Sequence, residues 1–316
     1  MHLPNLVYDL GLILASASFV SLIFKRFGQP QVLGYLFAGF LVGPYFEYIP
    51  SVKEVDSIKV WAEIGIIFLL FALGLEFSFK KMAKVGGGAI TTAVIETTGM
   101  FMIGYFVGQT LNWSNINSLF LGGMLAISST AIILKTFDEL GYKNQKFVSH
   151  VFGVLVIEDL IAIILMVAFS TLALTNELQG PQLAFTLVKL ALFITAWFFA
   201  GIVLLPLLLK KMHKHFNEES ILLFSIACCF LLVIQAVSFG FSPALGAFVM
   251  GSVFSGTGLV NKIEENIKPI KALFSAVFFV SVGMLINPSV IASEWPLILG
   301  LSAIVVIFKS SLSTIG

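Results

Sequence analysis

The chain has 316 residues, of which 58% are hydrophobic and only 11% charged, with a formal net charge of +1. A soluble domain carries about a quarter charged residues, so this composition excludes an ordinary soluble globule and specifies a polytopic, all-α protein of the lipid bilayer. The basic residues are scattered among short loops rather than gathered in a patch, and no nucleic-acid partner is expected.

A spanning helix takes about 20 predominantly apolar residues. Breaking the chain at polar, Gly and Pro clusters predicts eleven spans, near 6–24, 30–45, 57–77, 87–111, 116–136, 147–172, 183–209, 220–239, 242–256, 269–286 and 295–316. The first span has no basic residue before it, contains Asp9 and is followed by Lys25 and Arg26. It reads as a membrane helix and not as a signal peptide, which starts with positive charge. Glu63, placed at the start of the third span, suits the positive end of a helix dipole, and Glu76 at its far end reads as a snorkelling acid. The adjacent Cys228 and Cys229 lie in an apolar run, without metal-ligand spacing, and read as small buried hydrophobes.

The loops set the orientation. Lys25, Arg26, Lys80, Lys81, Lys84, Lys135, Lys143, Lys146, Lys210, Lys211, Lys214, Lys262, Lys268 and Lys271 all fall on one side. The opposite side holds only Lys53 and Lys59, while Lys189 and Lys309 lie in or beside apolar runs. By the positive-inside rule the lysine-rich side is cytoplasmic and the N-terminus is outside.

Two stretches repeat. "PQVLGYLFAGF" (30–40) matches "SPALGAFVMGS" (242–252) at an offset of 212, and "FLLFALGLEF" (68–77) matches "VFFVSVGMLI" (277–286) at 209. The matching spans are seven apart, an odd number, so the copies face opposite ways across the membrane. Inverted repeats of this kind characterise secondary transporters, with substrate bound near the midplane. The organisation expected is a first repeat over 1–172, a linking helix over 173–212 and an incomplete second repeat over 213–316. Counterparts of the fifth and sixth spans are expected at about 326 to 380, beyond Gly316. Lys309, moved back by about 210, falls in the fourth span near Glu96.

The charges inside the membrane carry the functional signal. Glu158 and Asp159 sit side by side in "VFGVLVIEDLIAII" (151–164), with no lysine or arginine within ten positions. With Lys309 they would cost roughly 8–10 kcal/mol on insertion scales. A salt bridge between the sixth and eleventh spans is an incomplete account, because one lysine cannot neutralise two acids. The surplus carboxylate calls for a proton or a cation, and a carboxylate ionising near neutral pH holds one or the other. That exclusive choice is exchange chemistry. Ser128, Ser129 and Thr130, in "LAISSTAIIL" (125–134), fit either an unwound segment with free carbonyls or hydroxyls bonded back to their own helix. Glu96, in "TTAVIETTGM", is either packed and protonated or turned to the cavity. No nucleophile constellation, metal cluster or phosphate loop appears, so neither an enzyme nor a cofactor is expected. A sodium-coupled symporter of an organic anion and a gated cation channel remain alternatives.

These segments, with "QPQVLGYLFAGFLVGP" (29–44), "FLLFALGLEFS" (68–78), "LAISSTAIILKTFDELG" (125–141), "VLVIEDLIAI" (154–163), "SPALGAFVMGSVFSG" (242–256) and "FFVSVGMLI" (278–286), resemble the cation:proton antiporter superfamily. The resemblance is to its Kef-type potassium/proton branch and runs along essentially the whole chain. It implies a thirteen-helix, inverted-repeat fold, of which eleven helices are expected here, with broken crossing helices, the fifth span being the first of these. It also implies exchange of K+ or Na+ for H+ in a bacterial inner membrane, a homodimer, and in many members a cytoplasmic C-terminal regulatory domain. Asp159 matches the aspartate that binds cation and proton, and Lys309 the lysine that pairs with the preceding acid when no cation is bound. Glu158 departs from the Asp of sodium-type and the Gln of Kef-type members, which leaves cation choice and stoichiometry open.

Overall fold

The structure is a computed structural model that describes residues 5–46, 50–76, 86–129, 145–175 and 217–315, with isolated positions over 133–142 and 188–205. Its described residues form α1 (Asn5–Arg26), α2 (Gln31–Val42), α3 (Val55–Glu76), α4 (Gly87–Thr110) and α5 (Asn115–Ala126). The chain continues through α6 (Lys146–Thr175), α7 (Glu218–Ser238), α8 (Pro243–Ser255), α9 (Val260–Gly283) and α10 (Pro288–Ile315). No strand occurs among the described residues. Searched over the described residues alone, six helices, α1, α3, α4, α7, α9 and α10, are long and apolar enough to cross a membrane, and α2 and α8 are shorter apolar helices. The protein is an all-α, multi-pass membrane protein. The expected seventh span lies largely outside the described residues.

Four boundaries differ from expectation. The fifth helix stops at Ala126 instead of running to about 136. α9 begins at Val260 and α10 at Pro288, well before the expected 269 and 295, and both helices run through a proline, Pro269 and Pro296. Over 260–268 the polar residues Lys262, Glu264, Glu265 and Lys268 are exposed while Ile263 and Ile267 are buried. That is one amphipathic helical face, which hydropathy alone mistakes for a loop. α3 begins at Val55, so Glu63 lies two turns inside it, and Asp56 occupies the first turn in its place.

The helices form two compact units, one of Met1–Phe77 and Val188–Ser293, the other of Ser78–Leu187 and Glu294–Gly316. In the first, α8 is buried along nearly its whole length, from Ala244 to Phe254, as befits a short helix apolar on every face. Its start is fixed by Ser242, whose hydroxyl accepts from the Leu245 amide at 3.3 Å, followed by Pro243 in the first turn.

Two close helix crossings hold this unit together. α2 crosses α9 so closely that a Cβ on Gly39 would stand 2.9 Å from the Gly283 Cα and overlap the Val280 carbonyl oxygen. α8 crosses α3 in the same way, with a Cβ on Gly251 standing 2.9 Å from the Gly74 Cα. The sequence repeat equates Gly39 with Gly251 and Gly74 with Gly283. The crossing 39–283 therefore maps onto 251–74, the reciprocal pairing that a two-fold relation generates.

In the second unit, α4 packs on α6 through Ala89, Ala93, Val154 and Ile157, with Ile161 against them. This contact brings the middle of α4 beside the middle of α6, where the acids lie.

Candidate functional site

The site is built where α5 ends. Ile127 is extended (φ −97°, ψ 136°), and Ser128 and Ser129 are not helical. The Ser129 carbonyl then accepts from the Ile133 amide at 3.1 Å, a bond of helical spacing. The local sequence explains the break, since a β-branched residue followed by two serines is a weak helix segment whose hydroxyls compete for backbone groups. Thr130 lies outside the described residues.

A break in a membrane helix frees backbone groups that must find partners. Two are met by charged side chains. The Ala126 carbonyl accepts from the Lys309 ammonium at 2.9 Å, and the Ser128 amide donates to Glu158 Oε2 at 3.2 Å. A cation thus caps the carbonyl end of α5 and an anion caps the amide that follows, each on the side the peptide dipoles favour. Ser128 serves here through its backbone amide.

Glu158 is almost fully buried in α6, at 1% exposure. Its Oε1 has no hydrogen-bond partner among the described residues and stands 3.6 Å from Lys309 Nζ, within ion-pairing range but beyond a hydrogen bond. Glu96, buried in α4, places its Oε1 at the same 3.6 Å from Lys309 Nζ. Its other oxygen, Oε2, accepts from the Ser313 hydroxyl at 2.5 Å. Ser313 follows Lys309 by one turn of α10, so one face of that helix presents both. Asp159 is the next residue of α6, partly buried and turned about 100° from Glu158 about the helix axis.

The structure therefore brings Glu96, Glu158, Lys309 and the 127–129 break together in one unit. Glu96 is both buried and turned toward Lys309. Sequence reasoning missed Ser313 and the Ala126 carbonyl. Helical spacing from Lys309 could have found the first; a backbone acceptor leaves no residue-type signal. Beyond Glu158 the same face of α6 continues as Ala162, Leu165, Met166 and Phe169, which line an apolar recess of about 360 Å³ against Gly123 and Ile127 of the α5 end. Such walls hold the local dielectric low and strengthen every charge interaction beside them. Chemically, among the described residues, the arrangement sets two buried carboxylates, Glu96 and Glu158, against one ammonium, Lys309.

Known proteins share both the sequence and the fold. A family model described as "Sodium/hydrogen exchanger, transmembrane" matches residues 13–315. K(+) efflux antiporter 1, chloroplastic, of Arabidopsis thaliana is 32% identical over 323 residues, covering 97% of this chain and 26% of the relative. The Na(+)/H(+)-K(+) antiporter GerN of Bacillus cereus is 26% identical over 303 residues, covering 96% of this chain and 77% of the relative. The chain spans between 26% and 55% of the length of the Arabidopsis K(+) efflux antiporters it matches. Among solved structures, the sodium proton antiporter MjNhaP1 from Methanocaldococcus jannaschii superposes with a TM-score of 0.72 at 18% identity. That match covers 98% of this chain and 78% of the other, a likeness of fold.

Proposed function

This chain belongs to the sodium/hydrogen exchanger family, and from that premise we propose that it is a monovalent cation/proton antiporter, exchanging K+ or Na+ for H+ by alternating access. One observation carries the reading: Glu96 and Glu158, buried at the break after α5, share one ammonium among the described residues, that of Lys309. Asp159 follows directly on α6. Among the described residues the Glu96–Glu158–Lys309 group is left with negative charge, which a mobile cation or a proton would balance, because bare carboxylates in a membrane interior are costly.

In this mechanism Asp159 binds cation or proton in alternation, and Glu158 is either a second ligand or the partner of Lys309. Ser128 bounds the site through its backbone amide, which donates to Glu158, and Ser129 follows it in the same non-helical stretch. A proton on the carboxylate removes the charge that attracts the cation, and a bound cation disfavours the proton, so each drives the release of the other. The protein works in a bacterial inner membrane as a homodimer, N-terminus outside, and carries out transport without a resident cofactor.

The test is reconstitution in proteoliposomes with an internal pH dye, with sodium, potassium or lithium added outside. Asp159→Asn is expected to reduce the cation-driven pH change to that of empty vesicles. Full exchange by that variant would remove the mechanism. Uptake of an organic anion without pH dependence would instead identify a symporter, and flux without a stoichiometric pH change a channel.

A further inference from the structure

We propose that Glu96 is a second counter-charge for Lys309, keeping the ammonium paired whenever Glu158 takes up a proton or a cation. The inference rests on the antiporter reading and assigns a positioning role to a residue on a different helix from the exchanging acids.

Three geometric facts carry it. Lys309 Nζ is hydrogen-bonded at 2.9 Å to the Ala126 carbonyl, while Glu96 Oε1 and Glu158 Oε1 both stand at 3.6 Å. The ammonium is thus anchored by backbone and shared evenly by two acids. Next, the two acids are held by different elements. Glu96 Oε2 is bound by Ser313, on the helix that carries Lys309, whereas Glu158 Oε2 is bound by the Ser128 amide in the broken segment. Finally, Glu158 Oε1 is buried without a hydrogen bond among the described residues, an acceptor aimed at the site and unmatched.

The consequence follows from charge pairing. With Glu158 as its only acid, Lys309 would be stranded each time Glu158 was neutralised, and a lone buried ammonium is strongly disfavoured. Protonation of Glu158 would then be tied to deprotonation of Lys309, and that pair would take up no net charge. With Glu96 at the same distance, the Glu96–Lys309 pair stays neutral and Glu158 titrates on its own account. Besides Glu158, α6 carries among its described side chains the titratable Asp159, the next residue in sequence, and His150, whose Nε2 lies 3.5 Å from Thr92 Oγ1 one turn before Glu96. α5 presents no titratable side chain.

The test compares wild type, Glu96→Gln, Glu96→Asp and the double variant Glu96→Gln/Lys309→Gln in proteoliposomes, reading cation KM and the steepness of the pH profile. In Glu96→Gln, Lys309 falls wholly to Glu158. The cation KM is expected to rise about tenfold or more, with a pH profile shallower by one titrating proton. Glu96→Asp keeps the charge and the wild-type steepness. The double variant leaves Glu158 no lysine to release and returns both readings toward wild type. A Glu96→Gln protein that exchanges like wild type overturns the proposal, as does a double variant that recovers neither reading. If Glu96→Gln fails to give monodisperse protein, the double variant decides alone: exchange with wild-type steepness supports the proposal and loss of exchange overturns it. Absence of exchange in the wild type removes the antiporter reading itself, a result distinct from an exchanging wild type matched by Glu96→Gln.

Discussion

Asp9 is fully buried in α1, yet it works for another helix. Its two carboxylate oxygens accept from the backbone amides of Lys53 at 2.9 Å and Glu54 at 2.8 Å, immediately before α3. A helix start leaves amides without intrahelical partners, and here a residue from another helix supplies the acceptors. Asp9→Ala strands both donors and is expected to lower stability by about 1–3 kcal/mol, read as a fall in melting temperature in detergent. An unchanged melting temperature would mean that water replaces the carboxylate without penalty. The sequence marks Asp9 only as an acid in an apolar run, since its partners are 44 and 45 positions away and are backbone atoms. Glu158 and Lys309 are far more legible, because a charge in mid-membrane has few innocent explanations. Glu96 falls between these cases. The repeat offset points to its neighbourhood, but only packing of α4 on α6 and the approach of α10 turn it toward Lys309.

At the scale of elements, the glycine crossings set what the helices can tolerate. A Cβ on Gly251 would overlap the Phe71 carbonyl oxygen, and the obstacle is backbone, which cannot swing aside as a side-chain tip can. Gly251→Ala is therefore expected to destabilise by about 1–3 kcal/mol or more. Gly300, in α10, has no described atom within 4 Å of the position a Cβ would take, so Gly300→Ala should be neutral or stabilising by up to about 1 kcal/mol. Thermal unfolding of the two variants side by side checks the pair, and equal melting temperatures would show that the α3–α8 crossing has room to relax. The small-residue repeats "LGYLFAG" and "LGAFVMG" mark these crossings in the sequence itself, because close approach of membrane helices requires small residues. Pro269 and Pro296 mislead in the opposite direction. Proline in a membrane helix is tolerated where neighbouring groups satisfy the freed carbonyl, so it marks neither helix start here. The break after Ala126 has no proline or glycine at all and is signalled only by "ISS".

For the whole molecule, two independent observations give one topology. The lysine-rich loops alternate with lysine-poor ones, and the positive-inside rule predicts that the lysine-rich side is cytoplasmic. The reciprocal crossings 39–283 and 251–74 relate α2 to α8 and α3 to α9, pairs separated by an odd number of expected spans. If both hold, the N-terminal ends of α2 and α8, which the repeat equates, lie on opposite faces of the membrane. Gln29, just before α2, is exposed, and so is Ser238, the last residue of α7 before the turn that leads to α8. With Cys228 and Cys229 replaced by alanine, Ser238→Cys is expected to react with a membrane-impermeant maleimide on intact cells. Gln29→Cys should react only after the membrane is opened. Labelling of both from the same side would mean that the two copies run parallel. In that case the two-fold seen in the glycine crossings would relate helix contacts without inverting the chain, and a midplane site between inverted repeats would lose its structural basis.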